Sequence, residues 1–384
     1  KTTPNTQPHP IKQRVTEPWR DTRPPRRWQA EALPVVMDAV AAGISGLVQA
    51  CTGAGKSNVI RELCAAFVPD AGEVIIVSTP TERLVEDLAE AIGERVLRLG
   101  VKVGRLYGQK KQTKPPIIVV CNPSLDSLVA ELDAVGKRAA LWIVDEAHNS
   151  ESPQVLSVGQ GAWASVVRVG FTATPYRADE LSLSLFERLL YAYKIGDAIA
   201  DGVVVPFRVV KWTGDPTTNI DAACLEMVQR AISTHGGPGV VDAASIADAE
   251  AFANYLTQHG IEAEPIHCAL ARAQVKRRLR DLLSGKMKCA VHVAMLKEGV
   301  DLPALTWLVM RRPVGSRTWI AQHVGRVLRV HPGKALAWVY DPHDLLGKFS
   351  LSYEACLAGG AEEPPPPPLP DPTVRKKPNL KNLD

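Results

Sequence analysis

The residues best equipped for chemistry form one octapeptide, Ala50-Cys51-Thr52-Gly53-Ala54-Gly55-Lys56-Ser57. Gly53 and Gly55 let successive backbone N–H groups converge on an anion, with Thr52 and Ala54 completing the turn. A helix opening at Lys56 would aim its positive end at the same charge. Lys56 is then placed to neutralise the β- and γ-phosphates of a nucleotide, and Ser57 to offer a hydroxyl to Mg²⁺. Farther on, Ile143-Val144-Asp145-Glu146-Ala147-His148 ends an apolar run in two adjacent carboxylates. Asp145 suits holding Mg²⁺ through water, and Glu146 suits orienting and deprotonating an attacking water. His148 reads either as a satisfied structural histidine or as a link from the carboxylates to Thr172 and the second half of the chain. Arg326 and Arg329 are spaced i, i+3, so a helix would point both the same way, and Val330 and Gly333 offer them no acidic i+4 partner. Planar guanidinium groups suit the spreading charge of a transferring phosphoryl group.

These groups need rigid elements to hold them. Short β-branched runs at 46–50, 74–78, 117–121, 141–145 and 166–170 each precede a polar turn and, in most cases, a helical pattern. Such alternation predicts a parallel α/β sheet, in which the acidic pair ends a strand neighbouring that of the phosphate loop, at the edge where ligands bind. A second series follows Asp201-Gly202, with strands predicted at 239–243, 289–294, 305–310 and 336–340 and helices at 246–258, 270–283 and 317–329. The reading is therefore a flexible Pro-rich leader (1–25), an ATP-binding domain (26–202), a second α/β domain (203–355) and a flexible tail (356–384). The tail carries Pro364 to Pro368 and ends in a basic Arg375-Lys376-Lys377. It reads as a solvated linker or as a docking site for a protein that recognises proline. The first residue, Lys1, suggests a processed or trimmed chain.

Composition narrows the class. With 384 residues, 46% of them hydrophobic and 22% charged, the chain is long enough for two buried cores. No run approaches the roughly 18 apolar residues of a membrane span, so an intracellular protein without a membrane partner is expected, cytoplasmic or associated with a nucleoid. Seven cysteines are scattered without a C-x-x-C pair, which argues against zinc or a disulfide framework. A net charge of +4 permits a polyanionic partner without requiring one.

Asp145-Glu146-Ala147-His148, downstream of this phosphate loop, resembles the Walker B signature of superfamily 2 helicases of the DEAH-box type. Other motifs resemble that family's in order. Arg26-Arg27-Trp28-Gln29 is similar to its adenine-reading element, which implies that Gln29 bonds the base edge and Arg26 supports it. Thr79-Pro80-Thr81 with Arg83, and Asn122-Pro123-Ser124, resemble its strand-contacting motifs. Phe171-Thr172-Ala173-Thr174-Pro175 resembles the coupling motif, which implies roles for Thr172 and Thr174 in joining hydrolysis to strand binding. Met295 to Pro303 resembles motif V and Gln322 to Arg329 motif VI. The resemblance implies Gly299 and Asp301 beside the ribose, Gln322 facing the γ-phosphate or attacking water, and Arg326 and Arg329 as fingers. The wording is nearest the XPB/UvsW-type branch, which type I and III restriction translocases share.

The resemblance implies two tandem RecA-like domains with the ATP site in the cleft between them. It further implies a nucleic-acid-dependent ATPase using ATP and Mg²⁺, a helicase or translocase on DNA in preference to RNA; the sequence does not fix the oligomeric state, and a monomer is favoured. An RNA helicase and an ATP-controlled clamp that moves nothing are the alternatives. Lys276-Arg277-Arg278-Leu279-Arg280 reads as a solvated helix face or a nucleic-acid contact, and Tyr107 and Trp212 as packing or base-stacking residues.

Overall fold

The computed structural model describes residues 11–13, 18–19, 24–174, 183–214, 219–293, 302–314 and 317–348. The tail and most of the motif V segment, Gly299 and Asp301 included, lie outside them. Two α/β units follow one another. The first is built on β1 (Gly46–Ala50), β2 (Glu73–Thr79), β3 (Val103–Tyr107), β4 (Ile117–Cys121), β5 (Arg138–Asp145), β6 (Val167–Thr172) and β7 (Arg188–Tyr193). These are parallel and ordered β7-β1-β6-β5-β2-β4-β3, and Lys110–Lys111 closes the β3 edge as an antiparallel eighth strand. Helices α1 (Arg27–Ala41), α2 (Lys56–Ala66), α3 (Glu82–Val96), α4 (Leu125–Ala134), α5 (Pro153–Gln160) and α6 (Ile195–Ala200) connect and cover the strands. β1, β2, β4 and β6 are buried along their whole length. The uninterrupted Val and Ile runs of β2 and β4 are what a strand covered on both faces requires.

The second sheet contains β8 (Phe207–Lys211), β9 (Gly239–Asp242), β10 (Ala263–Ile266), β11 (Cys289–His292), β12 (Trp307–Val309) and β13 (Ala337–Asp341). All six are parallel, in the order β8-β13-β12-β9-β11-β10. They are joined by α7 (Ile220–His235), α8 (Ile246–Gln258), α9 (Arg272–Leu283), α10 (Arg317–Val327) and α11 (Leu345–Lys348). Asn219 and Ser245 cap α7 and α8 by accepting from the backbone N–H groups of Ala222 and Asp248. Between the sheets the connector runs along the end of α10: Val204 bridges Arg329, and the Val205 N–H donates to the Leu328 carbonyl at 2.8 Å. Buried residues of both sheets, with Val204, Val205, Val327 and Leu328 at the junction, form one apolar cluster.

Four expectations change. The strand of the acidic pair is not next to that of the phosphate loop: β6 lies between them, pairing with β1 through Gln49↔Thr172 and with β5 through Asp145↔Phe171. Helix α10 stops at Val327, so Arg329 is outside it and pairs with the connector instead. Part of the leader expected to be flexible is docked. Ile11 is buried, Lys12–Gln13 pairs antiparallel with Phe67–Val68, and the Trp19 N–H donates to Glu62 (3.1 Å), which also accepts from Arg95 (2.9 Å). The basic run on α9 is partly neutralised, since Arg277 pairs with Glu264 (2.7 Å) and Asp281 (3.0 Å) and Arg278 with Glu264 (2.6 Å). Lys276, Arg277 and Arg280 are exposed.

Candidate nucleotide site

β1 ends at the buried Ala50, and the chain turns through Gly53 and Gly55, whose φ angles are +84° and +85°. Only glycine takes up this left-handed backbone readily. α2 then starts at Lys56 with no side chain capping it, which leaves its first N–H groups for an anion. Three residues at the start of α1 hold the opposite face of the loop. Arg26 Nη1 donates to the Gly53 carbonyl (2.8 Å), the Trp28 indole N–H to that of Ala54 (3.1 Å), and Gln29 Nε2 to that of Gly55 (2.9 Å). Carbonyls anchored this way cannot turn toward a bound phosphate. Trp28 is itself fixed by stacking on Tyr193, centroids 5.3 Å apart. Trp28 was legible in the sequence only as part of a motif, and its bond to the loop becomes evident in the fold. Gln29 differs from its expected role. It is 1% exposed, and its Oε1 accepts from the Arg26 N–H (2.9 Å), so in this conformation it braces the loop and presents no edge to a base.

The acidic pair lies across β6 from this loop. Asp145 is buried at the end of β5, and Glu146 follows with φ +50°, a left-handed backbone that costs a non-glycine residue of the order of 1 kcal/mol. Lys56 Nζ sits 4.0 Å from Glu146 Oε1 and 3.4 Å from the Ala50 carbonyl. Burial, then the neighbouring Glu146 charge, pushes the Asp145 carboxyl well above the usual range. Burial pushes Glu146 the same way, but Lys56, His148 and Arg326 together outweigh it and hold its carboxyl below the usual range. Glu146 is thus kept ionised and able to accept a proton.

His148 lies where the two domains meet. Its Nδ1 is 3.5 Å from Glu146 Oε2 and 3.4 Å from Thr172 Oγ1, and its Nε2 is 2.9 Å from Gln322 Nε2 on α10. Gln322 therefore faces His148 in this conformation. Thr172 donates to the Thr174 carbonyl (2.8 Å) and accepts from the Thr174 N–H (3.1 Å), which fixes the turn after β6. α10 presses directly on the phosphate loop at Gly325: a Cβ there would lie 2.7 Å from Thr52 Cβ. Arg329 reaches the same loop from beyond the helix, its Cγ within 3.5 Å of the place a Cβ on Gly53 would occupy. Gly325→Ala should therefore lower kcat/KM for ATP about 10-fold or more by forcing the domains apart, while the melting temperature stays near wild type. Unchanged kcat/KM would show that this contact is not made during turnover.

Residues expected to touch nucleic acid are spread along the rim of the first sheet. Arg83 is exposed beside Asp87 (3.8 Å), and Ser124 is half-buried at the end of a 3₁₀ turn. Thr79 is fully buried in β2, which removes it as a surface contact. Tyr107 donates to Glu86, with Lys110 2.7 Å from the same carboxylate, and Trp212 packs against the second core.

The residues fit a magnesium nucleotide. Ser57 is exposed at the loop, Asp145 is a buried carboxylate short of positive charge, and Glu146 Oε2 has no hydrogen bond. No group of three or more His, Cys, Asp or Glu able to hold a metal occurs among the described residues. A cation held by one or two protein oxygens, with phosphates and water completing its shell, is what Mg²⁺ prefers.

Residues 22–177 match the family model described as type III restriction enzyme, res subunit, and residues 223–331 match the helicase conserved C-terminal domain. The chain belongs to the superfamily 2 helicases. This superfamily 2 chain is 26% identical over 245 residues to the putative mitochondrial ATP-dependent helicase irc3 of Schizosaccharomyces pombe, covering 57% of itself and 40% of that protein. Its fold matches the ATP-dependent type ISP restriction-modification enzyme LlaBIII bound to DNA (TM-score 0.62, 15% identity, 85% of this chain and 28% of that one). It also matches Dbp5 of S. cerevisiae bound to RNA and ADP BeF3 (TM-score 0.59, 15% identity, 87% and 88%). The chain spans between 40% and 63% of the length of irc3 and two further curated relatives. Its two domains are tandem RecA-like units, and no helix among the described residues is long and apolar enough to cross a membrane.

Proposed function

We propose that the chain is a nucleic-acid-stimulated ATPase that translocates on or unwinds DNA. One observation carries this reading: the loop and acidic pair of the first domain face Gln322, Gly325, Arg326 and Arg329 of the second, with His148 in contact with both. Such a divided site works fully only when the cleft is shut, so hydrolysis and domain motion are coupled. Ser57 and Asp145 would hold Mg²⁺, which supplies charge to the phosphate oxygens and the leaving group. Lys56 and the N–H groups of the loop orient the β- and γ-phosphates. Glu146 takes the proton of the water whose oxygen attacks the γ-phosphorus as the bond to the β-phosphate oxygen breaks. Arg326 and Arg329 approach the charge that develops there. Arg83 and Ser124 would contact backbone phosphates, which positions a strand without reading its sequence.

The match to a restriction-enzyme family and the DNA in the LlaBIII structure favour DNA; the RNA in the Dbp5 structure is the observation behind the RNA reading. ATP hydrolysis measured with single-stranded, duplex and forked DNA and with RNA tests both. DNA should stimulate more than RNA. Equal or greater stimulation by RNA would move the assignment to an RNA helicase, and no stimulation by any of them would end it. Displacement of a triplex-forming strand separates a translocase from a clamp, which would displace none.

A further inference from the structure

The end of α10 is held by a residue that none of the motifs contains. Lys334 is buried, 9% exposed, with no carboxylate acting on it among the described residues. Its three ammonium donors meet three backbone carbonyls: Val327 at 2.6 Å, Arg329 at 3.0 Å and Pro303 at 3.0 Å. The His331-Pro332-Gly333-Lys334 turn, closed by the Lys334 N–H on the His331 carbonyl (3.0 Å), folds the chain back so that the side chain enters beneath the helix it has just left. The Leu328 carbonyl is taken by the Val205 N–H at 2.8 Å. Every carbonyl from 327 to 329 therefore has a donor, although a helix end normally leaves its last carbonyls unsatisfied.

An ammonium at this position has a physical reason. The C-terminal end of a helix carries a partial negative charge, so a cation there is favoured, and burial makes the interaction stronger. Burial also has a cost, pulling the lysine down to about 8, and the carbonyls resist it by binding the charged form. Arg326 precedes one of the three captured carbonyls, and another belongs to Arg329 itself, whose side chain lies against Gly53. The third belongs to Pro303, at the end of the motif V segment.

We propose that Lys334 is the positioning residue of the arginine pair: its ammonium fixes the backbone from which Arg326 acts on Glu146 and Arg329 reaches the phosphate loop, and ties it to Pro303. This rests on the arginines acting in hydrolysis. Turnover of the full chain with saturating DNA, varying ATP, tests it. Lys334→Met should lower kcat about 10- to 100-fold, the scale of a small misplacement of catalytic groups, and leave KM for ATP within about twofold. Combined with Arg329→Ala, it should add little to the loss from Arg329→Ala alone, because both changes remove one unit. If Lys334→Met does not fold, Lys334→Gln, which keeps two amide donors, serves in both measurements with a smaller loss. Losses that multiply in the double variant, or a lowered melting temperature with unchanged kcat, would overturn the assignment while the ATPase reading stands. Normal kcat in both Arg326→Ala and Arg329→Ala would remove the reading and the assignment with it.

Discussion

Glu146→Gln should bind ATP and DNA, close, and then stall, with kcat lower by about 10²- to 10⁴-fold, the usual contribution of a general base. The amide keeps the shape of the carboxylate but cannot take a proton from water. Its surroundings argue that binding survives. Lys56, His148 and Arg326 all act on the Glu146 charge. When that charge is removed, Lys56 and Arg326 are left for the phosphates, so ATP should be held more tightly than in the wild type. Phosphate release, together with retention of labelled ATP and DNA on one complex, measures both effects. A Glu146→Gln protein that turns over normally would exclude Glu146 as the base. One that loses ATP would mean that its carboxylate is needed to shape the pocket.

Arg326→Ala should cost about 10³-fold or more in kcat, the scale of an arginine finger, while KM for ATP changes little. Arg326 lies on the last turn of α10, close enough to lower the Glu146 pKa from the other domain. It is thus positioned to meet charge that develops only as the phosphoryl group transfers, and interactions made only in the transition state appear in kcat. Arg326→Lys should not restore the rate, because an ammonium lacks the planar fork. The residual hydrolysis should respond weakly to DNA, since closure would no longer deliver its main catalytic group. Normal turnover in Arg326→Ala would show that the two domains do not meet across the nucleotide in this way.

The two-domain organisation was legible because buried parallel strands advertise themselves. β2 and β4 are covered on both faces, so Val and Ile run through them without interruption. The strands that went unpredicted, β3, β7, β8 and β10, are half-exposed along much of their length and show no such run. The phosphate loop and the acidic pair were readable from residue type and spacing. What spacing could not supply was which strand lies between them, since strand order is a long-range property. Arg329 illustrates a second limit. Its i, i+3 spacing from Arg326 suggested a shared helix face, yet the chain leaves the helix after Val327, where Lys334 takes the Val327 and Arg329 carbonyls and the connector that of Leu328. Thr79 and Gln29 show a third. Residue type indicates a capacity to hydrogen-bond, but burial decides with what, and both side chains are turned inward. The docked pieces of the leader were hidden because so short a paired segment carries no periodicity, and Glu62 announces nothing about Trp19 until α2 is in place.

The backbone bridge between Val204 and Arg329 sets the mechanics of the cleft. Among the described residues the chain passes from one sheet to the other beside the arginines, where Val204 and Val205 are fastened to Arg329 and Leu328. When the second domain swings about that point, displacement grows with distance from it. On the proposed reading the opposite margin of the second sheet, where α9 packs against β10 and carries the exposed Lys276 and Arg280, would sweep the longest arc. A short arm at the nucleotide would, on that reading, drive a longer arm at the far edge, so a small adjustment on phosphate release would become a larger displacement there.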